Sequence, residues 1–267
     1  MATQQDDARD PAWETFLAAL EQTIGVPLAQ YKEAQMKRRL NSVMTRNGIT
    51  DWASFTKTLR QDGELLTVVR DTLTINVSEF FRQPERFQEL EKNVLKQLMK
   101  GGRPLSIWSA GCSVGCEPYT LAMILDSIDP HGKHKILATD VDMPAMDRAK
   151  EGTGYPSAEV KSVPYRYLKK YFEQDGDSYG VVESIKSKIT FRRHDLLKDP
   201  YPKNVDLIVC RNVVIYFKND AKTHIYNGFA SALRPDGMLF IGGSEMIMGS
   251  RDIGLNTTST SMYQRAA

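Results

Sequence analysis

From residue 104 onward, short apolar runs alternate with stretches of helical periodicity, and that alternation leaves the chain few folds. Leu105–Trp108, Lys135–Thr139, Ile189–Arg192, Val205–Cys210 and Met238–Ile241 read as strands, and Pro118–Ile128 reads as a helix. Strands separated by helices assemble into a parallel, doubly wound sheet, an α/β architecture. The turn Arg234-Pro235-Asp236-Gly237 precedes the fifth strand, and the β-prone stretch Thr257–Gln264 predicts a terminal one. Gly176–Lys188 is rich in Gly, Asp and Ser around Tyr179, Val181 and Val182. It predicts a small β-excursion inserted before the third main strand.

Residues 11–100 have a different pattern. Trp13, Phe16, Leu17, Leu20 and Ile24 recur at helical spacing, as do Met36, Leu40, Val43 and Met44. Asp51 is placed to cap a short helix carrying Trp52 and Phe55, and Leu65, Leu66, Val68, Val69 and Leu73 mark another. Pro84 opens a helix through Phe87, Leu90, Val94, Leu95 and Leu98, which Gly101-Gly102 ends.

Composition narrows the class. With 41% hydrophobic and 25% charged residues, the chain reads as an ordinary soluble globular protein. No apolar run is long enough for a membrane span, and the polar start MATQQDDARD lacks a signal-peptide pattern. A net charge of +2 gives no whole-chain argument for nucleic acid. Three cysteines, Cys112, Cys116 and Cys210, suit a reducing, cytoplasmic compartment better than a disulfide framework. Cys112 and Cys116 raise a metal question, but none of the four histidines repeats their spacing, so no metal is expected.

The chemistry-bearing segment is SIWSAGCSVGCEPYTLAM (106–123): a strand, a turn holding Gly111 and Gly115, then a helix. Doubly wound folds bind nucleotide-like ligands at such a turn, where glycine lets the backbone approach closely. The spacing is G-x-x-x-G, which is not the dinucleotide fingerprint, and by itself the turn is a weak signal. Asp140 follows the second strand, where a carboxylate can accept from both ribose hydroxyls; it could equally cap the helix that begins near Met143. Glu117 is suited either to a helix first turn or to pairing with a cationic ligand. Arg211-Asn212 stands where the fourth strand ends, as a site pair or as a turn and cap.

These segments, taken in order, resemble the CheR-type chemoreceptor glutamate O-methyltransferases. The matching stretches are TLTINVSEFFR (72–82), WSAGCSVGCEPYTLAM (108–123), LATDVD (137–142), HDLL (194–197), CRNVVIYF (210–217) and LRPDGMLFIGGSE (233–245). The resemblance implies a helical N-terminal, receptor-docking domain over 1–82 and a linker helix over 83–103. It further implies a Rossmann-like methyltransferase domain over 104–267 with a small β-subdomain near 172–190. The implied cofactor is S-adenosylmethionine, and the implied partner is the cytoplasmic helical bundle of chemoreceptors. Cofactor-binding residues carried over are Asn76, Ser78, Arg82, Gly111, Glu117, Asp140, Asp195, Leu196, Arg211 and Asn212. Arg82 and Tyr216 are carried over as catalytic residues. The insert looks shorter than in members that bind a receptor-tail pentapeptide, so tail tethering is not expected. A monomer that neither enters a membrane nor binds nucleic acid completes the expectation.

A glutamate carboxylate is ionised at neutral pH, so methyl transfer to it needs no general base. His194, beside one motif, is therefore not expected to act as one. Residues 30–60 carry a net +5, and Lys32, Arg39 and Arg46 recur at intervals of seven along one helix face. With Lys37 and Arg38 they form a candidate docking stripe for a glutamate-bearing partner; from charge alone, a solvated face explains them as well. Two other readings remain. One is a methyltransferase for RNA or a small molecule, although no aromatic-basic stacking platform is evident. The other is a non-catalytic S-adenosylmethionine sensor.

Overall fold

The computed structural model describes residues 10–74 and 78–266 and divides into two compact units: Met1–Ile75 with Tyr216–Lys218, and Asn76–Ile215 with Asn219–Ala267. No helix among the described residues is long and apolar enough to cross a membrane.

The first unit is helical. Asp10 accepts from the Ala12 amide at 3.0 Å and opens α1 (Pro11–Ile24), and Gly25 closes it in the left-handed region at φ 70°. Then come α2 (Glu33–Arg46), α3 (Trp52–Leu59) and α4 (Gly63–Thr74). Asp51 caps α3 as its position predicted, accepting from the Ser54 amide at 2.8 Å. The apolar faces meet in an aromatic cluster, with Phe16 stacked on Phe55 at 5.3 Å and Trp13 edge-on to Trp52 at 4.8 Å. Each such pair adds about 0.5–1.5 kcal/mol beyond burial. Tyr216–Lys218 joins this unit from far along the chain. The Lys32 amide donates to the Tyr216 carbonyl and the Lys218 amide to the Gln30 carbonyl, both at 2.9 Å, while the Tyr31 and Phe217 rings lie 4.7 Å apart.

The second unit opens with a helix at Pro84–Glu89 that passes through a π-helical turn, Leu90–Leu95, into Lys96–Met99. Its main sheet contains β1 (Ser106–Ala110), β2 (Lys135–Asp140), β6 (Ile189–Arg193), β7 (Val205–Cys210), β8 (Leu233–Ile241), β9 (Leu255–Ser259) and β10 (Met262–Arg265), ordered β6-β2-β1-β7-β8-β10-β9. The first five strands pair in parallel, and the last two are antiparallel. A helical N-terminal part followed by a doubly wound sheet is the architecture the pattern predicted.

Two details differ from the sequence reading. The terminal stretch is a hairpin rather than one strand, because Ser261 takes φ 71° between β9 and β10 and reverses the chain. The small sheet draws β3 (Tyr155–Pro156) alongside β4 (Phe172–Asp175) and β5 (Ser178–Val181), in the order β3-β5-β4. β3 is two residues long, too short to show alternation.

β7 is buried at all six positions although it contains Asp206. The Asp206 side chain is fully buried, accepts from the Ser106 amide at 2.8 Å and from Arg234 at 3.0 Å, and is paired with Arg103. This network ties the amino ends of β1, β7 and β8. Removing one partner of a fully buried ion pair costs about 3–5 kcal/mol, but both guanidiniums here reach solvent. Asp206→Ala is therefore expected to lower stability by a smaller amount, about 2–3 kcal/mol, read as a shifted midpoint in urea unfolding.

Candidate active site

Parallel pairing puts the carboxyl ends of β6, β2, β1, β7 and β8 on one edge of the sheet. The order runs outward from β1 through β2 to β6 on one side and through β7 to β8 on the other, so strand direction of travel switches between β1 and β7. Ligand crevices of open α/β sheets form at that switch.

The turn after β1 is a tight backbone structure. Gly111 takes φ 80°, and a Cβ there would lie 2.5 Å from the Val213 side chain. Gly115 takes φ 90°, and its Cβ would press on Ala149 and Tyr119 at 3.0 Å. Only glycine satisfies both demands. The Gly111 and Cys112 amides donate to the Thr139 carbonyl at 2.8 and 2.9 Å, fixing the turn to the end of β2. Asp140 then accepts from the Ser113 amide at 2.7 Å and the Asp142 amide at 2.9 Å. Burial raises its pKa despite those bonds. Capping of the helix Met143–Glu151 falls to Asp142, which accepts from the Ala145 amide at 3.3 Å. Asp140 is thus left facing the turn rather than spent on a cap.

Glu117 lies in the first turn of the helix Cys116–Ile128, and its carboxylate accepts from the Ser109 hydroxyl at 2.8 Å. Burial pushes its pKa up to about 7, opposed by the nearby Arg211 charge and the Ser109 bond. Arg211 is itself buried at the end of β7, where one nitrogen donates to the Arg82 carbonyl at 2.8 Å and to Gln83 Oε1 at 2.7 Å. Its guanidinium lies over Phe87 at 4.9 Å and Phe240 at 4.7 Å, and its Nε has no hydrogen-bond partner.

Asn212 adopts φ 61°, and its amide donates to Glu245 Oε2 at 2.9 Å. Its Oδ1 is buried without a hydrogen-bond partner, so it caps no helix. Glu245 also accepts from the Gly242 amide at 2.6 Å and the Ile215 amide at 3.3 Å, which joins the ends of β7 and β8. Glu245 ends the motif LRPDGMLFIGGSE, whose residue types alone point to no role for it. Its one sequence signal is an acidic residue just past a Gly-Gly pair at a strand end.

At the other side of the crevice, Asp195 and Leu196 follow β6 and are buried. The His194 amide donates to the Asp140 carbonyl at 2.9 Å, bringing this segment to the end of β2. The His194 ring packs edge-on against Trp108 and Tyr201. Burial lowers its pKa, and Nε2 lies 3.3 Å from the Pro200 carbonyl. A neutral, packed imidazole is what these surroundings favour.

The carboxyl edge therefore gathers Gly111, Glu117, Asp140, Asp195, Leu196, Arg211 and Asn212, with Arg82 bound to Arg211 through its carbonyl. Ser78 stands on the half-buried loop leading to Phe80, whose amide donates to the Glu159 carbonyl at 2.9 Å. Asn76 lies outside the described residues. Tyr216 clusters with the helical unit, where the Arg39 guanidinium sits 5.3 Å from its ring centre. Of the basic stripe, Arg38 and Arg46 are exposed. Lys37 pairs with Glu33 at 2.6 Å and lies over the Trp13 ring, and Lys32 immediately precedes α2.

The chain is also similar to known proteins along most of its length. Residues 76–263 match the family described as CheR methyltransferase, SAM binding domain, and residues 11–74 match CheR methyltransferase, all-alpha domain. A chemotaxis protein methyltransferase of Listeria monocytogenes is 42% identical over 249 residues, covering 93% of this chain and 95% of that protein. One from Borreliella burgdorferi is 35% identical over 86% of each chain. The chemotaxis protein methyltransferase 1 of Pseudomonas aeruginosa is 34% identical, over 90% of this chain and 92% of that one.

Glu117 is expected to titrate near pH 7 in carbon-detected carboxyl NMR. Arg211→Met is expected to move that titration higher, because the guanidinium charge favours the ionised acid.

Proposed function

The chain belongs to the CheR methyltransferase family, and on that premise we propose that it transfers a methyl group from S-adenosylmethionine to glutamate side chains of chemoreceptors, yielding glutamyl methyl esters and S-adenosylhomocysteine. The observation that carries the reading is the pair of buried polar atoms without hydrogen-bond partners at the end of β7, Arg211 Nε and Asn212 Oδ1, near Glu117, whose pKa is pushed up to about 7. Buried polar atoms without partners are costly, and a polar ligand relieves that cost.

The residues fit the cofactor's chemistry. Glu117 suits a cationic amine or sulfonium. Asp140 retains acceptor capacity for the ribose diol after taking two amides. Asp195 and Leu196 supply a polar and an apolar contact for the adenine. Asn212 and Arg211 offer an acceptor and a donor, and Asn76, Ser78 and Arg82 are assigned to the same pocket. When bound, S-adenosylmethionine supplies a methyl carbon on a sulfonium, which a carboxylate oxygen can take without proton transfer as the C–S bonding pair returns to sulfur. The protein's task is then to orient the acceptor and exclude water. Arg82 is assigned to holding the accepting carboxylate, and Tyr216 to orienting it. No general base is required, in keeping with the neutral setting of His194.

The substrate side belongs to the basic residues of α2 and to Lys32 just before it. Lys32, Lys37, Arg38, Arg39 and Arg46 would attract the glutamate-rich face of a cytoplasmic receptor bundle, and such steering weakens as salt rises. The protein acts in the cytoplasm in this reading, as a monomer, without tail tethering, membrane insertion or nucleic acid.

Labelled S-adenosylmethionine incubated with the protein and receptor-containing membranes is expected to leave base-labile label on a receptor-sized band. Label on RNA, or none on protein, would overturn the reading. Arg46→Glu is expected to raise the receptor KM, whereas Tyr216→Phe should slow turnover and leave S-adenosylhomocysteine affinity in calorimetry nearly intact. The pH dependence follows from Glu117. Above pH 7 it is ionised and attracts the cation; below pH 7 it is protonated and neutral. Cofactor affinity is expected to fall as pH drops through 7, and Glu117→Gln should flatten that dependence.

A further inference from the structure

Large apolar side chains exposed to solvent are few among the described residues of the catalytic unit: Met143, Tyr165, Met246 and Met248. Tyr165, at 77% exposure, stands apart from the others in sequence, whereas Met246 and Met248, at 69% and 81%, are two residues apart in one loop. The loop is not loose. On one side of the pair, Glu245 holds the Gly242, Asn212 and Ile215 amides. Between the two methionines, Ile247 is buried, and its amide donates to the Tyr263 hydroxyl at 3.1 Å. The backbone is therefore pinned while two flexible apolar side chains point outward. An unbranched, polarizable thioether adapts its shape to a partner, and such side chains recur on surfaces that accept varied sequences.

Position decides what that partner is. The loop leaves the carboxyl end of β8, which pairs directly with β7, the strand that ends in Arg211-Asn212. Neighbouring strands lie about 4.8 Å apart, so the base of the loop borders the candidate site. Glu245 joins the two structurally, since one carboxylate binds the amides of Asn212 and Gly242. A loop continuous with the site edge meets whatever carries the methyl acceptor. We infer that Met246 and Met248 form an apolar contact for the substrate protein, gripping the helical segment that flanks the methyl-accepting glutamate. This rests on the proposed function and adds an apolar recognition element to the basic one on α2. The charges steer the partner from a distance; the methionines act only at contact and are insensitive to salt.

The test is steady-state methylation of receptor-containing membranes by the full chain and by Met246→Gln/Met248→Gln, with Met248→Gln alone as a milder variant. Glutamine keeps the side-chain length, and both sites are exposed, so folding is preserved. The double variant is expected to raise the receptor KM about tenfold, as truncated contact residues do. Its kcat at saturating receptor and its S-adenosylhomocysteine affinity should stay within about twofold, and the KM ratio to the parent should not change with salt. An unchanged KM in both variants overturns the inference. So does an equal loss of S-adenosylhomocysteine affinity, which would make the loop part of the cofactor pocket. Sedimentation showing a parent dimer that the variant dissolves, with KM unchanged, would assign the methionines to a second copy of the chain. An inactive parent would instead overturn the proposed function, and this inference with it.

Discussion

The structure depends on parallel pairing of β1 with β2 on one side and β7 on the other. Parallel strands all end at the same edge, so every polar residue that follows a strand is delivered to one crevice. Glu117, Asp140, Asp195 and Arg211-Asn212 come from four segments spread over about a hundred residues of chain, yet they meet because their strands share a direction. The opposite edge is closed by Asp206, whose carboxylate holds the amino end of β1 and two arginines. One end of the sheet thus has its buried charge fully paired, while the other keeps polar atoms without partners.

That contrast gives the candidate site its physical character. At the closed end, each buried charge meets an opposite charge and a backbone amide, which serves stability. At the open end, burial pushes the Glu117 pKa up to about 7, and Arg211 Nε and Asn212 Oδ1 have no hydrogen-bond partner. Folding alone would favour satisfying these groups. Groups of this kind are what a candidate site can offer a polar ligand. Glu245 shows how the protein holds them in place: it absorbs three amides at the ends of β7 and β8 and fixes Asn212 at a positive φ.

Much of this was legible from residue order. The strands at Lys135–Asp140 and Val205–Cys210 announced themselves as apolar runs, and Gly111 and Gly115 marked the turn between β1 and its helix. Asp51 as a cap followed from its place before Trp52. Less legible were features set by long-range contact or by single backbone angles. Ser261 turned a predicted terminal strand into a hairpin, and nothing in the β-prone composition of Thr257–Gln264 signals a positive φ. The two-residue strand Tyr155–Pro156 exists because β5 offers it hydrogen bonds. The Tyr216–Lys218 segment joins the helical unit through backbone bonds to Lys32 and Gln30, which no local pattern encodes.

The sequence by itself determined the order of elements, the helical first part, the doubly wound second part, and a motif series specific enough to name a family. Periodicity, turn residues and motif spacing are local properties, so local reading recovers them. Only the tertiary structure decided how shared residues were spent. It gave the helix cap to Asp142 and left Asp140 facing the turn. It enlisted Glu245 to lock two strand ends, set Arg39 against Tyr216, and buried Ile247 while exposing Met246 and Met248. Each of those choices turns on which groups compete for the same hydrogen bond or the same buried space, and that competition exists only once distant segments are brought together.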